Sequence, residues 1–214
     1  MPPRPTSLRP GRIVAVVAVT LTMLSALACG PLAFNQVEPT QVGLQARDVS
    51  AEFKPCGPPS DIETYLKRLP ITSPWRSQLS SGWKQLQGEG ADASAATEFA
   101  TGSDSCTAEP GSSSSRSVSS VVARFSDDGA AQRAFQVGVF GFPTPGEDQL
   151  EPGLRQGVGT QLGAHSWLRQ RTVDNRNISV ALWQSHQFCI FVLAWALDSV
   201  ELQRALVAID GRAG

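Results

Sequence analysis

The chain has only two histidines, three lysines against fifteen arginines, and four cysteines with no C-x-x-C spacing among them. Each shortage narrows the function. Without C-x-x-C there is no zinc-ribbon or thioredoxin-type signature. A nucleophilic triad needs a histidine beside a nucleophile and an orienting acid. No G-x-S-x-G or comparable context surrounds any serine, and His165 and His186 both fall at expected strand ends next to turns. Cys189, three residues from His186, lies between Phe188 and Ile190 in an apolar run. A reactive thiol needs an electropositive, partly exposed setting. No catalytic residue is assigned, and the chain is read as non-enzymatic.

Metal and cofactor signatures are equally thin. Glu147, Asp148 and Glu151 cluster in one loop, but without the alternating acids and pivot glycine of a calcium loop. Gly157-Val158-Gly159 with Gly163 lacks the preceding strand and following helix that a phosphate-cradling loop requires. Asn177-Ile178-Ser179 is a glycosylation sequon, expected by chance in a chain of this length. No metal site and no cofactor are expected.

What the sequence does have begins at its N-terminus. Arg4, Arg9 and Arg12, with no acid among them, precede the apolar run Ile13–Leu27. A basic start, a short apolar core and a small-residue end are the parts of a secretory signal peptide. The run is shorter than the ~20 residues of a membrane-spanning helix, and Gly30-Pro31 follows at once. The segment Ala26-Leu27-Ala28-Cys29 resembles the lipobox of bacterial lipoproteins, with Ala26 where that family usually has leucine. The resemblance implies cleavage after Ala28 and lipid on the Cys29 thiol. Ala26-Leu27-Ala28 also satisfies the A-x-A rule of ordinary secretion, so a free secreted protein is the alternative. The expected organisation is a signal peptide over 1–28, a lipidated N-terminus and flexible tether over 29–53, and one domain over 54–214. As a coil, Gly30–Phe53 would span about 25–30 Å. Two acyl chains suffice for stable attachment, which places the protein on the outer face of the cell membrane.

Loss of the first 28 residues removes three arginines and no acid, leaving 15 basic and 19 acidic side chains, a net of −4. That is no footprint for nucleic acid. If Cys29 is lipidated, three cysteines remain, and an oxidising compartment favours pairing. Cys56 and Cys106 lie in polar, turn-rich surroundings (KPCGPP, SDSCTAEP) and are the expected disulfide. Cys189 is expected to be a buried free thiol.

Along the domain, Ser60 and Glu63 form a capping-box pattern. Ile62, Tyr65, Leu66 and Leu69 follow at helical spacing, and Pro70 ends the helix. Pro74–Gln87 reads either as a helix interrupted by Gly82 or as a strand over Trp83–Gln87. Gly88–Ser94 reads as a loop, Ala95–Thr101 as a strand, the serine-rich Ser103–Ser120 as a mobile connection, and Val121–Phe125 as a strand. A helix begins at Ser126-Asp127-Asp128 with Ala131, Ala134, Phe135 and Gly138 on one face. Phe140–Gln156, rich in proline and glycine, is expected to be a long surface loop. His165–Val173, Ile178–Ser185 and Phe188–Trp195 read as consecutive strands joined by the turns 174–177 and 185–187. Apolar at every position, the last of these is expected to be covered on both sides. Asp198 and Glu201 cap a final helix with Leu202, Ala205, Leu206 and Ile209 on its buried face, stopping at Gly211.

Short turns between strands imply an antiparallel sheet, and the interspersed helices imply an α+β fold packed mainly on one face. This order looks like the extracytoplasmic sensor-like domains of lipoproteins from GC-rich bacteria. Trp167, Arg169 and Arg171 alternate on one strand face, with Arg176 close by in sequence. They are the candidate site for an anionic ligand such as a glycan or phospholipid headgroup. The resulting expectation is a membrane-anchored module that binds a ligand or protein partner of the cell envelope. An accessory subunit docking on an envelope complex is the alternative, and an envelope hydrolase with an unrecognised site comes last.

Overall fold

The computed structural model describes residues 37–106, 115–146 and 148–214. The expectations for residues 1–36, with Cys29 among them, for 107–114 and for Glu147 lie outside these. Among the described residues no helix is long and apolar enough to cross a membrane.

In chain order the elements are α1 (Pro39–Val42), β1 (Lys54–Pro55), α2 (Ile62–Leu66), α3 (Pro74–Gly88), β2 (Ala91–Ala100), β3 (Ser117–Phe125) and α4 (Asp128–Val137), followed by β4 (Leu154–Gln156), β5 (Ser166–Val173), β6 (Arg176–Ser185), β7 (Phe188–Trp195) and α5 (Ser199–Ala213). The strands form one sheet in the order β1-β2-β3-β7-β6-β5-β4. Every neighbouring pair is antiparallel. The fold is α+β, as expected. Helices α2, α3 and α4 cover one face, while α5 and the N-terminal segment cover the other.

Strand β7 sits near the middle of the sheet, and its continuous apolar run reflects that position. Cys189, Phe191 and Leu193 face the α2–α4 side, and Phe188, Ile190, Val192 and Ala194 face the α5 side. Both sets are buried, so no polar alternation is possible there. The β5–β6 hairpin turns through Asp174 and Asn175, both in the left-handed region (φ 50° and 61°). That geometry suits a two-residue hairpin turn and favours asparagine and aspartate. The turn is therefore shorter than the four residues expected, and β6 starts at Arg176.

Several expectations are corrected. Residues 37–53, assigned to the tether, are part of the domain, with Val42 and Leu44 fully buried. The backbone N–H of Leu44 donates to Ser120 Oγ at 2.9 Å. Arg212, in the last turn of α5, donates to both Asp48 carboxylate oxygens at 3.0 and 2.6 Å and to the carbonyls of Val42 and Gly43. Two apolar side chains and one buried acid carried too little period to reveal this.

Helix α2 starts one residue later than expected, capped by Asp61 accepting from Thr64 N–H at 2.8 Å. Ser60 instead makes an isolated bridge with Ala96. Pro74–Gly88 is a helix throughout, capped by Ser73 with proline in its first turn. Gly82 does not break it. A Cβ on Gly82 would lie 2.4 Å from the Phe140 Cα, so the glycine admits a close backbone approach.

Strand β2 begins at Ala91 and β3 at Ser117, inside stretches read as loops. Ser120 is buried yet satisfied, sharing a hydrogen bond of 2.8 Å with Thr97 Oγ1. β4 lies within the expected loop 140–156. Helix α5 runs past Gly211 to Ala213.

Cys56 and Cys106 form a disulfide, and Cys189 is a buried free thiol. The bond joins the residue after β1 to the short helical turn Ser103–Cys106 that follows β2. It closes a loop of 50 residues, worth about 4 kcal/mol in the chain-entropy account.

Candidate functional site

Register decides which side chains meet on a sheet face, because alternate residues point to opposite sides. Arg171 pairs with Ile178 and Val173 with Arg176 across the β5–β6 hairpin. Trp167, Arg169 and Arg171 of β5 therefore share the α2–α4 face with Arg176, Ile178 and Val180 of β6. Leu154 of β4 pairs with Arg169 and joins them. The structure thus brings all four candidate ligand residues to one face of one hairpin.

They differ in burial. Trp167 is 1% exposed and belongs to the core. Its ring centroid lies 6.4 Å from that of Phe142. The guanidinium of Arg169 lies over the Trp167 ring at 5.7 Å, a cation–π arrangement. Arg169 is half-buried, whereas Arg171 is exposed. Leu154, Ile178, Val180 and Phe142 are partly buried apolar residues at the edge of the core cluster. Together these residues form a half-open apolar strip with arginines along it.

One side chain that the sequence did not single out for this role completes the site. Glu151, at the end of the loop before β4, pairs with Arg169 at 3.2 Å and also with Arg171. The Arg171 hydrogen bond, helped by the nearby Arg169 charge, holds its carboxyl below the usual range. No local pattern pairs residue 151 with 169 and 171, since strand pairing alone brings them together.

Two donors in this site have no acceptor among the described residues. The indole Nε1 of Trp167 and the Nε of Arg169 are both buried without a hydrogen-bond partner. Leaving such a donor unmade costs about 1–3 kcal/mol, and each case in a native structure calls for a cause.

The row that holds Arg169 runs on across the sheet. Arg169 pairs with Val180, Val180 with Leu193, Leu193 with Ser119, and Ser119 with Glu98. Glu98 therefore stands about 19 Å from Arg169 in the same row, four strands away. The Tyr65 hydroxyl donates to its carboxylate at 3.0 Å. Burial pushes the Glu98 carboxyl up to about 7, against the opposing pull of the Tyr65 hydrogen bond and the Arg68 charge. Burial and the facing carboxylate raise the Tyr65 phenol well above its ordinary value, while a hydrogen bond with Trp75 opposes them.

The remaining candidates fall elsewhere. Cys189 donates to the Ala131 carbonyl at 3.2 Å, and burial raises its thiol to about 12. His186 faces Asp128 at 3.7 Å on the surface. His165 lies 3.3 Å from the Gln132 amide and edge-on to Phe135. Among the described residues no group of His, Cys, Asp and Glu is placed to hold a metal ion.

A depression of about 620 Å³ lies on the opposite face, lined by Arg155, Gln161, Val200, Arg204 and Val207 among others. None of its lining residues is buried. It holds no buried, preorganised polar group, so the β4–β5–β6 face is the stronger candidate.

No protein-family model matches the chain, and no curated protein matches it. One solved structure similar to it is the extracellular domain of PknH from Mycobacterium tuberculosis. The identity is 13% and the TM-score 0.46, with 80% of this chain and 92% of that chain covered. At that level of superposition the likeness carries no argument about function.

Proposed function

We propose that this chain is an exported module, held to the outer face of a membrane by lipid on Cys29, that binds an anionic ligand of the cell envelope. The binding surface is the β4–β5–β6 part of the α2–α4 face. The observation that carries the reading is charge balance over an apolar strip. Arg169, Arg171 and Arg176 share one face, and Glu151 is the carboxylate that Arg169 and Arg171 share. The Cys56–Cys106 disulfide supports the address, since such bonds persist in oxidising compartments. Docking on an envelope protein complex is a second reading, favoured by Val200 and Val207, which stand exposed beside the opposite depression.

Native mass spectrometry of the protein purified from the membrane fraction tests the proposal. The expected species starts at Cys29, carries acyl chains and retains a non-covalent ligand. The double variant Arg169→Ala, Arg171→Ala should keep the acyl mass and lose the ligand. An unmodified chain in the soluble fraction refutes the anchor. Equal ligand retention by both proteins refutes the binding face.

A further inference from the structure

Trp167 and Arg169 are two residues apart on one strand face, and the Arg169 guanidinium lies over the Trp167 ring at 5.7 Å. Each carries a buried N–H without an acceptor. The neighbours of that pair are apolar: Leu154 and Val180 flank Arg169 in the register, and Phe142 packs against Trp167. The pair therefore offers hydrogen-bond donors and one positive charge within an apolar surround, and it lacks an acceptor. The chain already places one carboxylate beside it, that of Glu151, which reaches the Nη2 of Arg169 but not its Nε.

We propose that this site binds a small carboxylic acid with an apolar body, whose carboxylate displaces that of Glu151 to reach the buried N–H groups of Trp167 and Arg169 while its body lies along Leu154, Ile178 and Val180. Glu151 is the built-in competitor for the same guanidinium. This rests on the binding face proposed above and names the chemistry of its ligand. A carboxylate matches the donors because it accepts at two oxygens and is strengthened by the arginine charge. An alcohol of the same size brings one weak acceptor and no charge. Arg169 is better suited than lysine, because its planar fork keeps one N–H free while another meets Glu151.

The test uses the purified full domain with octanoate, phenylacetate and octan-1-ol as probes. The readout is the indole N–H resonance of Trp167, assigned through Trp167→Phe, together with calorimetric affinity. Octanoate or phenylacetate should shift that resonance, and octan-1-ol should not. The ranking of the two acids separates an extended acyl body from a compact aromatic one. Arg169→Lys keeps the charge but loses the Nε–H, and should weaken the acid about tenfold, the loss of roughly one hydrogen bond. Glu151→Gln should strengthen it several-fold by releasing both arginines. An indole resonance unmoved by either acid overturns the proposal, as does an equal response to octan-1-ol or an affinity indifferent to Arg169→Lys. If the acids fail while a co-purified ligand is still lost from the Arg169→Ala, Arg171→Ala protein, the carboxylate chemistry is wrong and the binding face stands. If both fail, the face itself is wrong.

Discussion

The two ends of the sheet are closed in opposite ways. At the β2 end a disulfide fastens β1, and α2 covers Glu98, whose buried carboxyl meets a phenol. At the β4 end a three-residue strand and two ion pairs to Glu151 hold the edge, and no disulfide is present among the described residues of that end. The carboxyl at the first end, Glu98, is raised, and that at the second, Glu151, is lowered. At Glu98 burial outweighs the Tyr65 hydrogen bond and the Arg68 charge and favours the neutral acid, while at Glu151 the hydrogen bond from Arg171 and the Arg169 charge favour the anion. The first end is therefore fastened covalently, and the second is fastened by ion pairs, the contacts that the proposed ligand would exchange.

The largest effect should come from the covalent end. Replacing Cys56 and Cys106 together with serine should lower stability by up to about 4 kcal/mol, read from denaturant unfolding. An unchanged midpoint would show that β1 is held by its pairing alone.

Next comes Glu98. Its folded value near 7 lies above its reference of 4.5, so the fold favours the protonated acid. The stability from that preference is fully present below about pH 4.5 and is lost as pH rises through 7. Glu98→Gln should therefore stabilise the protein at pH 8 by up to about 3 kcal/mol. It should flatten the pH dependence between those values and change little at pH 4. Parallel stability–pH curves for the two proteins would remove Glu98 from the account.

Tyr65→Phe is subtler. The Tyr65 hydroxyl pulls the Glu98 value down, so its removal should raise that value further, seen as a later titration of the Glu98 carboxyl carbon by NMR. A downward move would mean that water replaces the phenol.

The smallest change in stability belongs to the exchangeable end. Glu151→Gln should change the melting temperature little, because ion pairs still partly open to solvent contribute little. A large loss would mean that Glu151 fastens the edge structurally and is not poised to give way.

The order of the larger elements was legible in part, because the β5, β6 and β7 segments alternate or run apolar and because Asp127 and Asp198 mark helix starts; α1, β1 and β4 lay in stretches read as tether, turn or loop, and 74–87 stayed open between helix and strand. What escaped were small residues. Ala91–Ser94 and Ser117–Ser120 have little hydrophobic period, yet register buries Ser119 and Ser120 at the sheet's centre. Pairing over long separations was equally hidden. Trp167, Arg169 and Arg171 could be placed on one face by counting, and Arg176 joined them only through the hairpin register. Glu151 and the Asp48–Arg212 pair depend on contacts across 20 and 164 residues. Gly82 read as a break because its close neighbour, Phe140, is remote in sequence.

The clasp of Arg212 on Asp48 has a mechanical meaning. A load entering the domain at Val37 is carried along the segment that Arg212 grips by two carbonyls and a carboxylate, and that Ser120 of the central strand β3 holds at Leu44. The force is shared between the last turn of the last helix and an inner strand of the sheet, on the face away from Arg169. A pull from the N-terminal side therefore strains the α5 side first and leaves the arginine-lined strip unloaded.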